Sequence, residues 1–179
     1  KGATAPGDGM SWTTAYPDLQ QALTAATTLS GNKEIWVSRG EYKPTHTLDR
    51  SISFVLPANT AVYGGFNGTE SSATTRNWKT NRTVLSGDLG EQFETSDNSY
   101  HVVVIRNVDS NTVFDGFVVK QGNANSDSVD FNKVGAGLYI AGARVLTSPI
   151  IRNCKFQDNV ATFGGALYMG IDMSLTAID

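Results

Sequence analysis

Arg76, Trp78, Lys79 and Arg82 crowd into one polar stretch, residues 67–82. A solvent-facing indole stacks on a sugar ring, and a neighbouring guanidinium or ammonium contacts sugar carboxylates. Arg76, Trp78 and Lys79 are therefore the candidate ligand-binding set, suited to an acidic glycan. The competing role for Trp78 is to pin a long loop to the body of the protein. Asp88, Glu91, Glu94 and Asp97 follow with no basic residue among them. Calcium needs converging oxygen ligands, and this spacing matches no tight calcium loop, so the segment reads as a solvated acidic loop. Asp8 in Gly7-Asp8-Gly9 stands alone and reads as part of a turn. Asp115, Lys120, Arg106 and Arg152 are residue types that cleave acidic polysaccharides, provided base and charge-neutralising groups converge on one sheet. Their spacing does not establish such convergence, and no catalytic residue is assigned. His101 reads as a hydrogen-bonded structural residue beside a strand. Cys154, the single cysteine, reads as a small core side chain. One cysteine supports neither an intrachain disulfide nor a Cys-based zinc or iron–sulfur site. No metal and no cofactor is expected.

Something must position these groups, and composition narrows what. Of 179 residues 40% are hydrophobic and only 17% charged, and 18 are glycine. Thr, Ser, Asn and Gly in that proportion favour strands joined by many bends. The net charge of −3 and the lack of a basic stripe argue against nucleic acid as a partner. No apolar run is long enough to span a membrane as a helix. The sequence opens at Lys1 without Met or a signal peptide, as expected of a processed or trimmed piece.

One stretch has helical periodicity: Leu19, Ala22, Leu23, Ala26 and Leu29 fall on one face. Pro17 suits the first turn, Asp18 the positive dipole end and Gly31 the stop. The spacing predicts a helix over about 16–30, within a capping segment 1–33. From residue 34 the pattern turns to short β-rich runs with a shared ending. Val62-Tyr63-Gly64-Gly65, Val84-Leu85-Ser86-Gly87, Val113-Phe114-Asp115-Gly116 and Ile150-Ile151-Arg152-Asn153 each place Gly or Asn last, with a looser run ending at Gly40. Gly and Asn best tolerate left-handed backbone, so each run predicts a sharp bend between two strands. Val62, Val84, Val113 and Ile150 share one position in this pattern and are expected in a single interior column. Gly135-Ala136-Gly137-Leu138-Tyr139 recurs as Gly164-Gly165-Ala166-Leu167-Tyr168. Repeats of this period imply an all-β, right-handed parallel β-helix, a solenoid whose turns stack at about 4.8 Å, over residues 34–179. The helix is expected to cap its first turn.

Phe156-Gln157-Asp158-Asn159 with Gly164-Gly165-Ala166-Leu167 resembles the paired FxxN and GGA[ILV] motifs of polymorphic outer membrane protein repeats. Phe131-Asn132-Lys133-Val134 before Gly135 is the looser earlier copy. Nearly the whole chain also resembles large bacterial β-helix surface proteins, through Gly7-Asp8-Gly9, Ser11-Trp12, Asp18-Leu19-Gln20, Ile35-Trp36-Val37, Gly40-Glu41-Tyr42, Tyr63-Gly64-Gly65-Phe66, Arg76, Trp78, Leu85-Ser86-Gly87-Asp88 and Asn98 to Val102. The resemblance implies export, a bacterial cell-surface or extracellular location, and a non-enzymatic stalk or adhesin-like scaffold displaying loops. A carbohydrate-binding or polysaccharide-cleaving β-helix is the rival reading. Expected partners are a host or cell-surface glycan or protein. Ile171, Met173, Leu175 and Ile178 read as the start of a further strand, so a longer parent chain or head-to-tail self-association is expected.

Overall fold

The computed structural model describes residues 7–92, 94–127, 131–142 and 148–170, and the strand at 176–178. Among these residues one α-helix, α1 (Leu19–Thr27), precedes fifteen strands, with short 3₁₀ helices at Ala73–Thr75 and Phe131–Lys133. These are β1 (Lys33–Ser38), β2 (Gly40–Tyr42), β3 (Phe54–Leu56), β4 (Thr60–Phe66), β5 (Thr83–Ser86), β6 (Val103–Arg106), β7 (Val113–Asp115) and β8 (Phe117–Lys120). There follow β9 (Asn123–Ala124), β10 (Leu138–Ala141), β11 (Ile150–Arg152), β12 (Lys155–Gln157), β13 (Val160–Ala161), β14 (Leu167–Met169) and β15 (Thr176–Ile178).

Every pairing among these strands is parallel. The first sheet runs β1-β4-β7-β11-β15, the second β2-β5-β8-β12 and the third β3-β6-β10-β14, with a short β9-β13 pair beside them. The chain visits first, second and third sheet in that order and then returns to the first, one strand further along. Short strands with tight corners suit the Gly and Asn endings: Gly40, Gly65, Gly116 and Asn153 all have positive φ. Gly87 does not belong with them. It follows β5, in the second sheet, so that run marks the next corner.

The interior column differs from the expected one. In the first sheet Ile35 pairs with Val62, Val62 with Phe114 and Phe114 with Ile151. Val62, Phe114 and Ile151 are buried, and Ile35 packs on them. Val113 and Ile150 pair with each other in the neighbouring register row and are only half-buried, while Val84 lies in another sheet. Both residues of Val113-Phe114 and of Ile150-Ile151 are apolar, so alternation alone cannot say which faces inward. The second sheet contributes Leu85 and Val119, and the third Phe54, Val103, Leu138, Leu56, Ile105 and Ile140. Each such side chain fully buried stabilises by about 1.5–3 kcal/mol. The Phe114 and Phe117 rings stack across the first corner at 4.4 Å.

Helix α1 is shorter than expected. Asp18 is its N-cap, extended, with its carboxylate accepting from the Gln20 N–H at 2.8 Å. Pro17 therefore lies outside. At the other end the Thr27 and Thr28 hydroxyls donate back to the Thr24 and Ala25 carbonyls, competing with further turns. Leu29 is left 60% exposed rather than on the packing face. Leu19, Leu23 and Ala26 are buried, and α1 packs against β3 and β1, the edge strands of their sheets.

The later repeat holds strand for strand: Leu138 pairs with Leu167 and Tyr139 with Tyr168. The other half shifts. Phe156 pairs with Val119, not with anything near Phe131, so Val119 to Gly122 is the earlier counterpart of Phe156 to Asn159. Asn159 shows why the motif needs an amide: its Oδ1 accepts from the Gly122 N–H and its Nδ2 donates to the Val119 carbonyl. Residues 171–175 lie outside the described residues, and the expected further strand is placed at Thr176–Ile178.

Candidate functional site

Between β4 and β5 the chain makes an excursion over the outer face of the first sheet, and this carries Arg76, Trp78 and Lys79. Its base is organised by Glu70, whose carboxylate accepts the N–H groups of Asn67, Gly68 and Thr69. Burial alone would raise the Glu70 carboxyl, but these bonds outweigh it and hold it below its ordinary range. Arg76 then turns inward. It donates to the Gly64 carbonyl at 2.8 Å and to Asp115 Oδ2 at 2.6 Å. Asp115 also accepts from Arg152 Nε at 2.7 Å and from Asn153 Nδ2 at 2.9 Å. The Asp115 side chain is 1% exposed, those of Arg76 and Arg152 10% and 36%. Two glycines make room for this. A Cβ on Gly116 would fall 2.5 Å from Arg76 Nη1, and one on Gly65 2.5 Å from Trp78 Cα. Trp78 is half-buried and Lys79 exposed, with its Nζ 5.1 Å from the indole centroid. The three sequence candidates are thus contiguous, with the Arg76 guanidinium committed to Asp115 and Gly64.

The residues that suggested polysaccharide cleavage are dispersed. Asp115 and Arg152 meet in the first sheet. Lys120 lies in the second, 3.1 Å from Glu41, and Arg106 in the third, over the Tyr139 ring. Of the acidic segment, Asp88 faces Lys43 and Gln121, Asp97 accepts the Glu91 N–H, and Glu94 accepts the Ser96 N–H. Among the described residues no three His, Cys, Asp or Glu side chains converge as a metal site.

His101 is buried, with Nδ1 3.1 Å from the Gly135 carbonyl and its ring stacked on Tyr139 at 4.9 Å. A carbonyl only accepts, so this contact places a proton on Nδ1. The Cys154 thiol donates to the Arg152 carbonyl and packs on the core, and burial pushes it up to about 12. At neutral pH it is a thiol rather than a nucleophilic thiolate.

Sequence reasoning passed over the outer face of the second sheet. A shallow groove of about 490 Å³ crosses it, continuous with one of about 370 Å³. Alternation along the strands aims Glu41, Val84 and Val118 outward while Tyr42, Leu85 and Val119 point in. Lys120 and Gln157 continue the outward row, and Asp88 and Gln121 form one wall. Asp88 is 6% exposed, with Lys43 3.5 Å from Oδ1 and the Gln121 amide donating to Oδ2 at 3.0 Å. Ser86 donates to Gln121 Oε1 at 3.1 Å. Gln121 has φ +59, and among the described residues the other positive-φ positions besides glycine are Asn or Asp. Each of β2, β8 and β12 carries a charged or amide residue, Glu41, Lys120 and Gln157, but only β12 shows a period-2 signal, at Lys155 and Gln157.

No protein family, curated protein or solved structure matches the chain. No described helix is long and apolar enough to cross a membrane.

Proposed function

We propose that the chain forms a right-handed parallel β-helix and serves as a non-enzymatic scaffold on the surface of a bacterial cell or secreted from it. The observation that carries this reading is the cyclic path through three parallel sheets, each visit one strand further along. Consecutive short parallel strands advancing in this way are most directly connected as successive turns of one solenoid. Helix α1, set against β1 and β3, then covers the first turn and shields its edge strands. Excursions at the corners, such as residues 67–82, are the parts such a scaffold displays. The resemblance of Phe156 to Leu167 and of the N-terminal half to bacterial surface repeats supports export.

The dispersal of Asp115, Lys120 and Arg106 over three sheets favours a scaffold over a lyase, because elimination needs base and charge stabilisation at one sugar. Two measurements test the proposal. Incubation with polygalacturonate or alginate is expected to give no unsaturated uronate absorbance; absorbance that disappears on chelation refutes the non-enzymatic reading. In cells producing the natural protein, antibody labelling and protease shaving of intact cells are expected to reach the chain. Retention inside the cytoplasm refutes the location.

A further inference from the structure

We propose that the groove across β2, β5, β8 and β12 binds an uncharged, extended β-1,4-linked glycan. This goes beyond the scaffold reading and stands on the groove alone. Three observations select the ligand. First, the groove carries no net charge: Lys120 pairs with Glu41 at 3.1 Å and Lys43 with Asp88 at 3.5 Å, and its other two charged residues, Arg82 and Asp158, are of opposite sign. A polyanion would have to break these pairs or meet their carboxylates, whereas hydroxyl groups hydrogen-bond to both partners. Second, the floor carries half-buried Val84 beside Val118, which is only 8% exposed, between polar walls. An aliphatic strip flanked by amides and ion pairs complements a pyranose ring, with its apolar face and polar edge. Third, the groove spans four parallel strands, about 14 Å at the usual interstrand spacing. A site extended along four stacked strands suits a ribbon-like chain better than a coiled α-glucan.

Gln121 forms the corner beside the groove, at the position that Asp158 takes one strand further along the sheet. Both residues have positive φ, +59 and +55, so the repeated corner accounts for this backbone and fixes where the Gln121 side chain leaves it. Its carboxamide is oriented by Ser86 and Asp88. That leaves one N–H and one acceptor lone pair of the amide for a sugar hydroxyl. Arranging these groups before the ligand arrives reduces the ordering cost of binding.

The test uses the whole chain, ¹⁵N-labelled, titrated with cellohexaose, maltohexaose and hexagalacturonate. With cellohexaose at about 10 mM, above the millimolar affinity typical of shallow polar sites, the Gln121 and Gln157 side-chain amide signals are expected to shift. Maltohexaose and hexagalacturonate are expected to leave them in place. Gln121→Gly accepts the positive φ and is expected to stay folded while weakening cellohexaose about tenfold, the effect of one or two lost hydrogen bonds. Lys120→Met keeps the aliphatic stem, is expected to weaken binding similarly, and decides the question if the glycine variant does not fold. Unshifted groove signals with cellohexaose, tighter binding of hexagalacturonate, or wild-type affinity in the folded variants overturns the proposal.

Discussion

Replacing Asp115 by alanine removes the carboxylate on which the excursion, the first sheet and the next corner converge. Asp115 accepts three hydrogen bonds, from Arg76, Arg152 and Asn153, at 2.6–2.9 Å. The cost depends on what is left behind. The Arg76 side chain is 10% exposed, so its guanidinium loses its counter-charge where water cannot replace it. Removing one partner of a buried pair typically costs about 3–5 kcal/mol. The Arg152 side chain, at 36% exposed, is screened by solvent and adds little. For a chain of this size about 3–5 kcal/mol lowers the melting temperature by roughly 6–20 °C. Circular dichroism melts give this value, and hydrogen exchange at Asn77 and Asn81, whose N–H groups bond to the Gly65 and Asn77 carbonyls, reports whether the excursion loosens first. The double variant Asp115→Ala/Arg76→Met is expected to be more stable than Asp115→Ala alone, because it leaves no buried cation unpaired. A melting temperature lowered by less than about 2 °C, or a double variant less stable than the single, refutes the reasoning.

Leu23→Asp places a carboxylate in the buried face of α1 and is expected to cost at least the 2–5 kcal/mol of a large-to-alanine core change; a melt unchanged within error removes the packing role of α1. Asn159→Ala leaves the Gly122 N–H and the Val119 carbonyl without their side-chain partner, an expected loss of about 1–3 kcal/mol in urea unfolding. Cys154 is expected to resist iodoacetamide at pH 8 while folded and to react on unfolding. Its thiol is raised from 9.0 to about 12 by burial. Between those values the unfolded chain has released this proton and the folded chain retains it, so stability should fall as pH rises from 9 towards 12, by about 1.4 kcal/mol per unit from this group. A melting temperature flat across that window in wild type, or falling equally in Cys154→Ala, contradicts the assignment.

Bends were easier to read from sequence than faces. Gly40, Gly65, Gly116 and Asn153 announced their corners because few other residues accept that backbone. Gly87 misled because the excursion at 67–82 separates Gly65 from the strand that follows its corner, and β5 then ends on a similar pattern. Val113 and Ile150 misled for another reason: a strand with apolar residues on both faces carries no period-2 signal. The helix was legible from its Leu and Ala spacing, though not the hydroxyl back-bonding that ends it. Asp115 could not be linked to Arg76 from sequence, since the contact depends on an irregular segment folding back over the sheet. The groove was overlooked because Glu41, Lys120 and Gln157 become neighbours only through strand stacking.

The excursion leaves and rejoins the sheets within a single peptide step. Arg39 N–H bonds to the Phe66 carbonyl, and the next N–H, that of Gly40, bonds to the Arg82 carbonyl. Strand pairing resumes in register immediately afterwards, Gly40 with Thr83. Two chain ends held side by side by a neighbouring strand form an anchored port. Closing a loop between fixed ends costs only about 0.6 kcal/mol more for each doubling of its length. Residues 67–81 can therefore be lengthened, shortened or exchanged for a foreign peptide with little thermodynamic consequence for strand register, provided Arg76 or an equivalent cation still reaches Asp115. Insertions and deletions among homologous chains should accumulate at this point, and an engineer seeking to graft an epitope would begin there.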